Sequence, residues 1–241
     1  MYLIIIAAGI LPAFLLWGYI WKMDKKKEPT PLLVKATCYG VLICFPVALV
    51  ESMISSVLFD SGGPSTIIGT TADAFMVAAI PEETFKLLAL RWILKNNPYF
   101  DEHFDGIVYA VCVGLGFAAI ENVFYLFGNE EWITTAIARS LLAVPGHYAF
   151  AILMGYYYSV YHFVDDSPKV AICILAVPVL AHGIYDAFAM SGIINEIVAL
   201  ASFIALVVFC IKMHRVALKK VVALIEKDAK TAGNIKATHI S

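Results

Sequence analysis

Long, almost uncharged apolar stretches are the feature that most constrains this chain. A hydrocarbon core of about 30 Å is crossed by about 20 predominantly apolar helical residues, and the sequence contains seven such stretches. Hydrophobic residues make up 61% of the chain and charged residues 15%, outside the usual range of a soluble domain. The sequence therefore predicts an all-α polytopic membrane protein with about seven transmembrane helices, at residues 2–21, 32–59, 71–94, 106–127, 133–160, 169–190 and 193–211.

Basic residues between the stretches predict how the chain is threaded. Lys and Arg concentrate in cytoplasmic loops, and here they lie in WKMDKKK, RWILKNN, SPK and IKMHRVALKK, while the intervening loops contain neither. We expect the N-terminus outside, the C-terminus inside, and residues 212–241 as a basic cytoplasmic tail. The first part of this tail alternates basic and aliphatic residues, which is typical of a helix on an anionic membrane surface. We expect residues 1–241 to form a single membrane domain.

Ionisable side chains inside the predicted spans indicate where function lies. Each costs at least about 2.5–3.5 kcal/mol to insert at mid-membrane, so each requires a partner or a role. In four consecutive spans these and associated polar residues are Glu82, Glu83 and Lys86, then Glu121 with Asn122, then Arg139 and His147, then His182 and Asp186. Counted along each helix, they converge on one layer between the membrane centre and its outer face. Glu51, in the second span, has no evident partner and no predicted role.

Helical spacing predicts which of these side chains meet. Residues three or four apart share a helix face, so Glu82 and Glu83 both reach Lys86, which we expect to neutralise only one of them. The other carboxylate is a candidate general base. His182 and Asp186 form an i, i+4 pair, in which the carboxylate accepts one imidazole N–H and leaves the other ring nitrogen to act as base, acid or ligand.

Further polar and small residues have roles that the sequence leaves open. Asn122 either donates to a developing oxyanion or bonds an adjacent helix. His147 follows a proline and a glycine, where a broken helix can expose backbone to a cavity. Arg139 either reaches outward or pairs with a carboxylate of the cluster. Gly114 and Gly116 are small enough to let a neighbouring helix approach closely.

Three motifs carry these residues, each on its own predicted span. They are Glu82-Glu83-x-x-Lys86, Phe117-x-x-x-Glu121 followed by Asn122, and His182-x-x-x-Asp186, within about residues 70–190. In this order they resemble the motifs of the PrsW family of intramembrane proteases, which belongs to a wider group with the CAAX prenyl endopeptidases and bacteriocin-processing proteases. Glu121 and Asp186 stand where the prenyl-endopeptidase relatives carry His and Asn, so no substrate is inferred from that branch.

The resemblance implies a glutamate-dependent protease in the bacterial plasma membrane. It implies Glu82, Glu83, Glu121 and His182 as catalytic or site-forming residues. The implied substrate is a single-span anti-sigma factor, which receives its first, outward-side cut and so begins to release an extracytoplasmic-function sigma factor. No nucleic acid partner is implied.

The resulting hypothesis is water-mediated peptide hydrolysis. Glu82 or Glu83 deprotonates the water, and His182, oriented by Asp186, supports the tetrahedral intermediate or protonates the leaving amine. His147 and Asn122 lie nearby as helpers. The remaining supporting residues are Lys86, Phe117 and Arg139. This scheme needs no cofactor.

Three alternatives stay open at this point. A zinc-dependent protease would draw ligands from His147, His182, Glu121 and Glu83, although the HExxH motif is absent. A proton-coupled transporter would relay protons through the same groups, although these lie in one layer rather than along a path. A membrane scaffold or sensor would use the polar cluster for packing alone.

Overall fold

The computed structural model describes residues 2–59, 63–127 and 129–238, and within them it contains helices and no β-strand. Seven long helices follow one another. They are α1 (Tyr2–Met23), α2 (Thr30–Leu58), α3 (Ile67–Ala72, Asp73–Ala79 and Ile80–Leu94 in continuous succession), α4 (Asp105–Phe127), α5 (Trp132–Phe163), α6 (Pro168–Ile193) and α7 (Glu196–Thr238). The predicted all-α class is confirmed.

Six of these helices are long and apolar enough to cross a membrane by length and composition, namely α1, α2, α4, α5, α6 and α7. Helix α3 is of sufficient length but carries more charge, including Asp73, Glu82, Glu83, Lys86 and Arg91. Large apolar side chains cover the outside of the bundle, as at Leu3, Val57, Ile68 and Ile197. The orientation of the termini stays a prediction.

Helix α4 lies at the centre of the bundle. Residues 104–118 are all buried, and α4 packs against α1, α2, α3 and α5. A Cβ atom on Gly116 would lie 2.2 Å from the carbonyl oxygen of Thr37, and one on Gly114 would lie 2.8 Å from the Cβ of Ala151. The predicted role of both glycines in close helix approach is confirmed, and it lets α4 present its motif to α3 and α5.

The last helix differs from the expected short span followed by a separate surface helix. Helix α7 continues through residue 211 without a break. Its buried stripe includes Met213, Ala217, Val221 and Leu224, spaced three or four residues apart, so that one face packs on the bundle. Near its end, Asp228 accepts hydrogen bonds from two backbone N–H groups just before α4, at 2.8 and 2.9 Å.

Candidate active site

Adjacent glutamates on α3 share a single lysine. Lys86 Nζ lies 2.8 Å from Glu82 Oε2 and 2.9 Å from Glu83 Oε1, and all three side chains are buried. Both glutamates reach Lys86, as their spacing predicts, and one positive charge lies between two carboxylates. Because an ammonium group has three N–H donors and the two glutamates lie three and four residues before it, it reaches both at once.

His182 on α6 connects this cluster to a third carboxylate. Its Nε2 lies 3.0 Å from Asp186 Oδ2, which confirms the predicted i, i+4 pair, and its Nδ1 lies 2.9 Å from Glu83 Oε1. The second ring nitrogen is therefore already engaged by Glu83, rather than left available as expected. The ring of Phe150 stacks on His182 at a centroid distance of 4.7 Å, which fixes the plane of the imidazole.

Glu121 on α4 forms the centre of a second network. Its Oε2 lies 2.9 Å from His147 Nε2 and 2.8 Å from an Arg139 guanidinium nitrogen. Of the two roles open to Arg139, pairing with a carboxylate is the one observed. His147 Nδ1 lies 3.2 Å from Lys86 Nζ, and Lys86 Nζ lies 4.2 Å from the ring centre of Phe117, so the two networks form one continuous polar cluster.

The side chain of Asn122 lies outside the cavity and bonds to two neighbouring helices. Its Oδ1 accepts a hydrogen bond of 2.6 Å from Arg139 Nε, and its Nδ2 donates to the carbonyl oxygen of Gly9 at 3.4 Å. Of the two roles predicted for Asn122, bonding to an adjacent helix is the one observed. The amide is used in holding α1, α4 and α5 together, and it lies outside the cavity lining.

A cavity of about 430 Å³ opens beside the cluster. Its walls come from α2 to α6, and the predicted site residues that face it are Glu82, Phe117, Glu121, Arg139, His147, His182 and Asp186. Glu83 and Lys86 lie behind this wall, and Glu83 is completely buried. The two adjacent glutamates, equivalent in the sequence, are therefore distinct in the structure, because only Glu82 can meet a substrate or water in the cavity.

Two acidic residues without a predicted role also line the cavity. They are Glu51 on α2 and Asp73 on α3, and within the described residues neither side chain makes a hydrogen bond or an ion pair. The α2 wall also includes Ser52 and Ser55. Polar residues at positions 51, 52 and 55 follow one face of a helix, a signal in the sequence that would have placed α2 against the site.

Two of the four helices that carry site residues, α3 and α5, contain a π-helical segment before Glu82 and before His147. The segments Asp73–Ala79 of α3 and Arg139–Ala143 of α5 are π-helical. A π-helix adds one residue to a turn, and such turns occur frequently at functional sites. Asp73, Val77 and Glu82 all line the cavity, although an ordinary helix would turn Glu82 about 140° away from Val77.

Close packing holds the π-helical segment of α3 against α6. A Cβ atom on Gly183 would lie 2.4 Å from the ring of Phe75. The absence of a side chain at Gly183 lets the ring of Phe75 pack directly against α6, at the residue that follows His182. This contact sets the separation between the helices that carry Glu82 and His182.

The donors of the cluster fit a metal ion. Glu82, Glu83, His147 and His182 each offer a ligand atom, and these four atoms lie within 4.8 Å of one another. Carboxylate oxygens and imidazole nitrogens are ordinary zinc ligands. Glu83 Oε2 is also buried without a hydrogen-bond partner in the described part of the chain. Lys86 Nζ lies among these donors, so a bound ion and this ammonium group would share the same carboxylates.

Comparison with known proteins points to one family. The family model described as "PrsW family intramembrane metalloprotease" matches residues 28–213, a range that contains all the predicted site residues. Protease PrsW of Oceanobacillus iheyensis is 35% identical over 204 residues, which cover 84% of this chain and 90% of the relative. Protease PrsW of Bacillus subtilis is 33% identical over 202 residues, covering 83% and 88%. No solved structure matches the chain.

Proposed function

The chain belongs to the PrsW family of intramembrane proteases, and we propose that it hydrolyses a peptide bond of a single-span membrane protein in the cavity beside Glu82. As a member of this family it is an intramembrane peptidase and a multi-pass bacterial membrane protein. The transporter and scaffold alternatives are thereby set aside. The substrate, the residue roles and any metal requirement belong to the proposal.

The observation that carries the proposal is the difference between the paired glutamates. Glu82 lines the cavity, whereas Glu83 is enclosed between Lys86 and His182. In the proposed reaction Glu82 accepts the proton of the attacking water, as a general base does when it lies within hydrogen-bond reach. Lys86 and Glu83 hold the Glu82 carboxylate and the His182 ring in place.

Cationic and neutral donors on the cavity wall provide the second half of the chemistry. Arg139, His147 and His182 all face the cavity, and donors in a site that excludes bulk water stabilise the charge that develops on a carbonyl oxygen. Glu121 fixes both Arg139 and His147. In the proposed reaction these donors stabilise the tetrahedral intermediate, and Glu82 passes the proton that it took from the attacking water to the leaving amine.

The proposed substrate is an anti-sigma factor with one membrane span. This part rests on the sequence resemblance, which implies a first cut on the outward side. The position of the cavity agrees with such a cut, since its lining includes Ser55, Asp73 and Met190. Ser55 and Met190 lie close to helix ends whose connecting loops contain no Lys or Arg, the side predicted to face outward.

A metal-dependent form of the reaction is a second candidate, favoured by the four converging donors and consistent with the description of the family model. Glu82, Glu83, His147 and His182 would hold the ion. A bound divalent ion would act as a Lewis acid on the attacking water. In this form Glu121 would still fix His147, and Asp186 would still orient His182 through its second nitrogen.

The test is cleavage of a single-span anti-sigma factor by the purified protein in lipid vesicles. Glu82→Gln should lower the rate of cleavage by about 10²–10⁴, while Glu130→Gln, which changes an exposed loop glutamate, should cleave like the wild type. Cleavage by a folded Glu82→Gln variant at the wild-type rate would contradict the role of Glu82. Cleavage that stops on chelation and returns with added Zn²⁺ would select the metal-dependent form, and cleavage that persists on chelation would select the metal-free form.

A further inference from the structure

The π-helical segment of α3 is followed at once by a proline, and together they leave backbone acceptors without donors. The N–H of Ile80 donates to the carbonyl of Phe75, five residues back. Pro81 has no N–H, and the ordinary i, i+4 pattern resumes with Ile80–Leu94. Only the N–H of Glu82 is then available to the three carbonyls of residues 76–78, so at least two of them have no helical N–H donor.

Two of these three residues lie on the wall of the cavity. Val77 and Ala78 both line it, one turn before Glu82. Backbone carbonyls that lack a partner are costly at membrane depth unless they are buried against donors or face a water-filled space. Val77 and Ala78 share the single N–H of Glu82, so at least one of their carbonyls is left to exchange water for another hydrogen-bond donor that enters the cavity.

We infer that these carbonyls bind backbone N–H groups of the substrate next to the scissile bond. In a transmembrane helix each backbone N–H donates a hydrogen bond within the helix, whereas the N–H groups of an unwound segment are free to bind other acceptors. Binding of free N–H groups by an exposed row of carbonyls is the means by which extended peptides add to sheet edges. The acceptors would hold an unwound segment with its carbonyl beside Glu82. This inference rests on the proposed function, since it describes how that substrate is held.

Helix α5 contains the same combination and provides a matched control. The N–H of Val144 donates to the carbonyl of Arg139, and Pro145 follows. Here the carbonyls left with too few donors belong to residues 140–142, which do not line the cavity. Leu141 is 70% exposed on the outside of the bundle. Only the α3 acceptors can therefore meet a substrate.

The experiment uses the full-length protein and a series of synthetic single-span peptides. In each peptide one backbone amide near the scissile bond is replaced by an ester, which removes one N–H donor. Both kcat/KM for cleavage and Kd for binding are measured. One net hydrogen bond corresponds to about a tenfold change at most, so we expect one or two ester positions to lower kcat/KM and raise Kd by about threefold to tenfold.

Two variants test whether α3 supplies the acceptors. Pro81→Ala adds an N–H that competes for the carbonyls. In this variant, the ester peptides and the all-amide peptide should therefore have nearly equal kcat/KM and Kd. Pro145→Ala adds the same group on α5 and should retain the full ester effect. An unchanged ester series in the wild type, or equal ester effects in wild type and Pro81→Ala, would overturn the inference. If the ester peptides bind more weakly but no peptide is cleaved, the backbone contact is supported and the proposed function is rejected. If the peptides are cleaved with no effect of the esters, the proposed function is supported and the backbone contact is rejected.

Discussion

Glu82 and Glu83 are neighbours in the chain but occupy different environments. Both carboxylates contact Lys86 Nζ, at 2.8 and 2.9 Å. Of the two, only Glu82 lines the cavity, and only Glu83 lies within hydrogen-bond distance of His182 Nδ1, at 2.9 Å. One carboxylate therefore faces the reaction space, and the other ties α3 to α6. The difference predicts that the two positions respond differently to substitution.

Replacing each glutamate with glutamine separates reactivity from support. Glu82→Gln should lower kcat by about 10²–10⁴, the usual contribution of a general base, with a smaller loss of stability than Glu83→Gln, because Glu82 has one close charged partner and Glu83 has two. Glu83→Gln should lower stability by about 1.5–3 kcal/mol, because it weakens hydrogen bonds to charged partners inside the bundle. Cleavage assays and thermal unfolding in the same detergent measure both effects. Equal losses of stability in the two variants would contradict the assignment.

Removal of the shared cation should destabilise the whole cluster. Lys86→Met leaves two buried carboxylates beside each other without their counter-ion, and loss of one member of a buried ion pair costs about 3–5 kcal/mol. Adding Glu83→Gln to this variant removes one of the stranded charges and should recover part of the loss. The measurement is the free energy of unfolding of the single and double variants. A double variant that is less stable than Lys86→Met would argue against charge pairing.

Glu51 offers a test of the cavity itself. It lines the cavity and makes no hydrogen bond or ion pair with any residue that the structure describes, so Glu51→Gln should leave the unfolding temperature nearly unchanged. If its carboxylate contacts the substrate, kcat/KM should fall by about tenfold, the value of one charged hydrogen bond. Ser56→Ala, on the same helix but outside the cavity lining, serves as the control. Wild-type cleavage by Glu51→Gln would show that the Glu51 carboxylate does not contact the substrate.

Gly183 should tolerate no side chain. Alanine at this position would bring a Cβ to 2.4 Å from the Phe75 ring and so push α3 from α6, at a cost of about 1–3 kcal/mol for overpacking. We expect Gly183→Ala to reduce activity strongly, and Phe75→Leu to restore part of it. Gly192→Ala is the control, since its Cβ would have no neighbour nearer than 3.7 Å. Activity that is equal in both alanine variants would refute the packing explanation.

Glu28, in the loop between α1 and α2, predicts a pH dependence of stability. Burial raises the pKa of this carboxyl from 4.5 to about 7, although a hydrogen bond donated by Tyr109 acts in the opposite direction. The folded state then binds more protons than the unfolded state between these values, so stability falls as pH rises from about 4.5 to about 7.

Glu28→Gln should remove this part of the pH dependence. Its unfolding temperature should change less between pH 5 and pH 8 than that of the wild type, and Glu130→Gln should behave like the wild type. An identical slope in wild type and Glu28→Gln would assign the dependence to other groups.

The sequence by itself determined the helical class, the long apolar helices, the polar residues of the site and the pairing of His182 with Asp186. These properties are local, because hydropathy, insertion cost and spacing along one helix depend on neighbouring residues. Only the tertiary structure decided that Glu82 rather than Glu83 faces the cavity, that Asn122 bonds neighbouring helices, and that Glu51 joins the site. Those outcomes depend on the rotation of each helix about its axis. Packing at Gly183 and the π-helical turns set this rotation, and the packing joins segments that are distant in the chain.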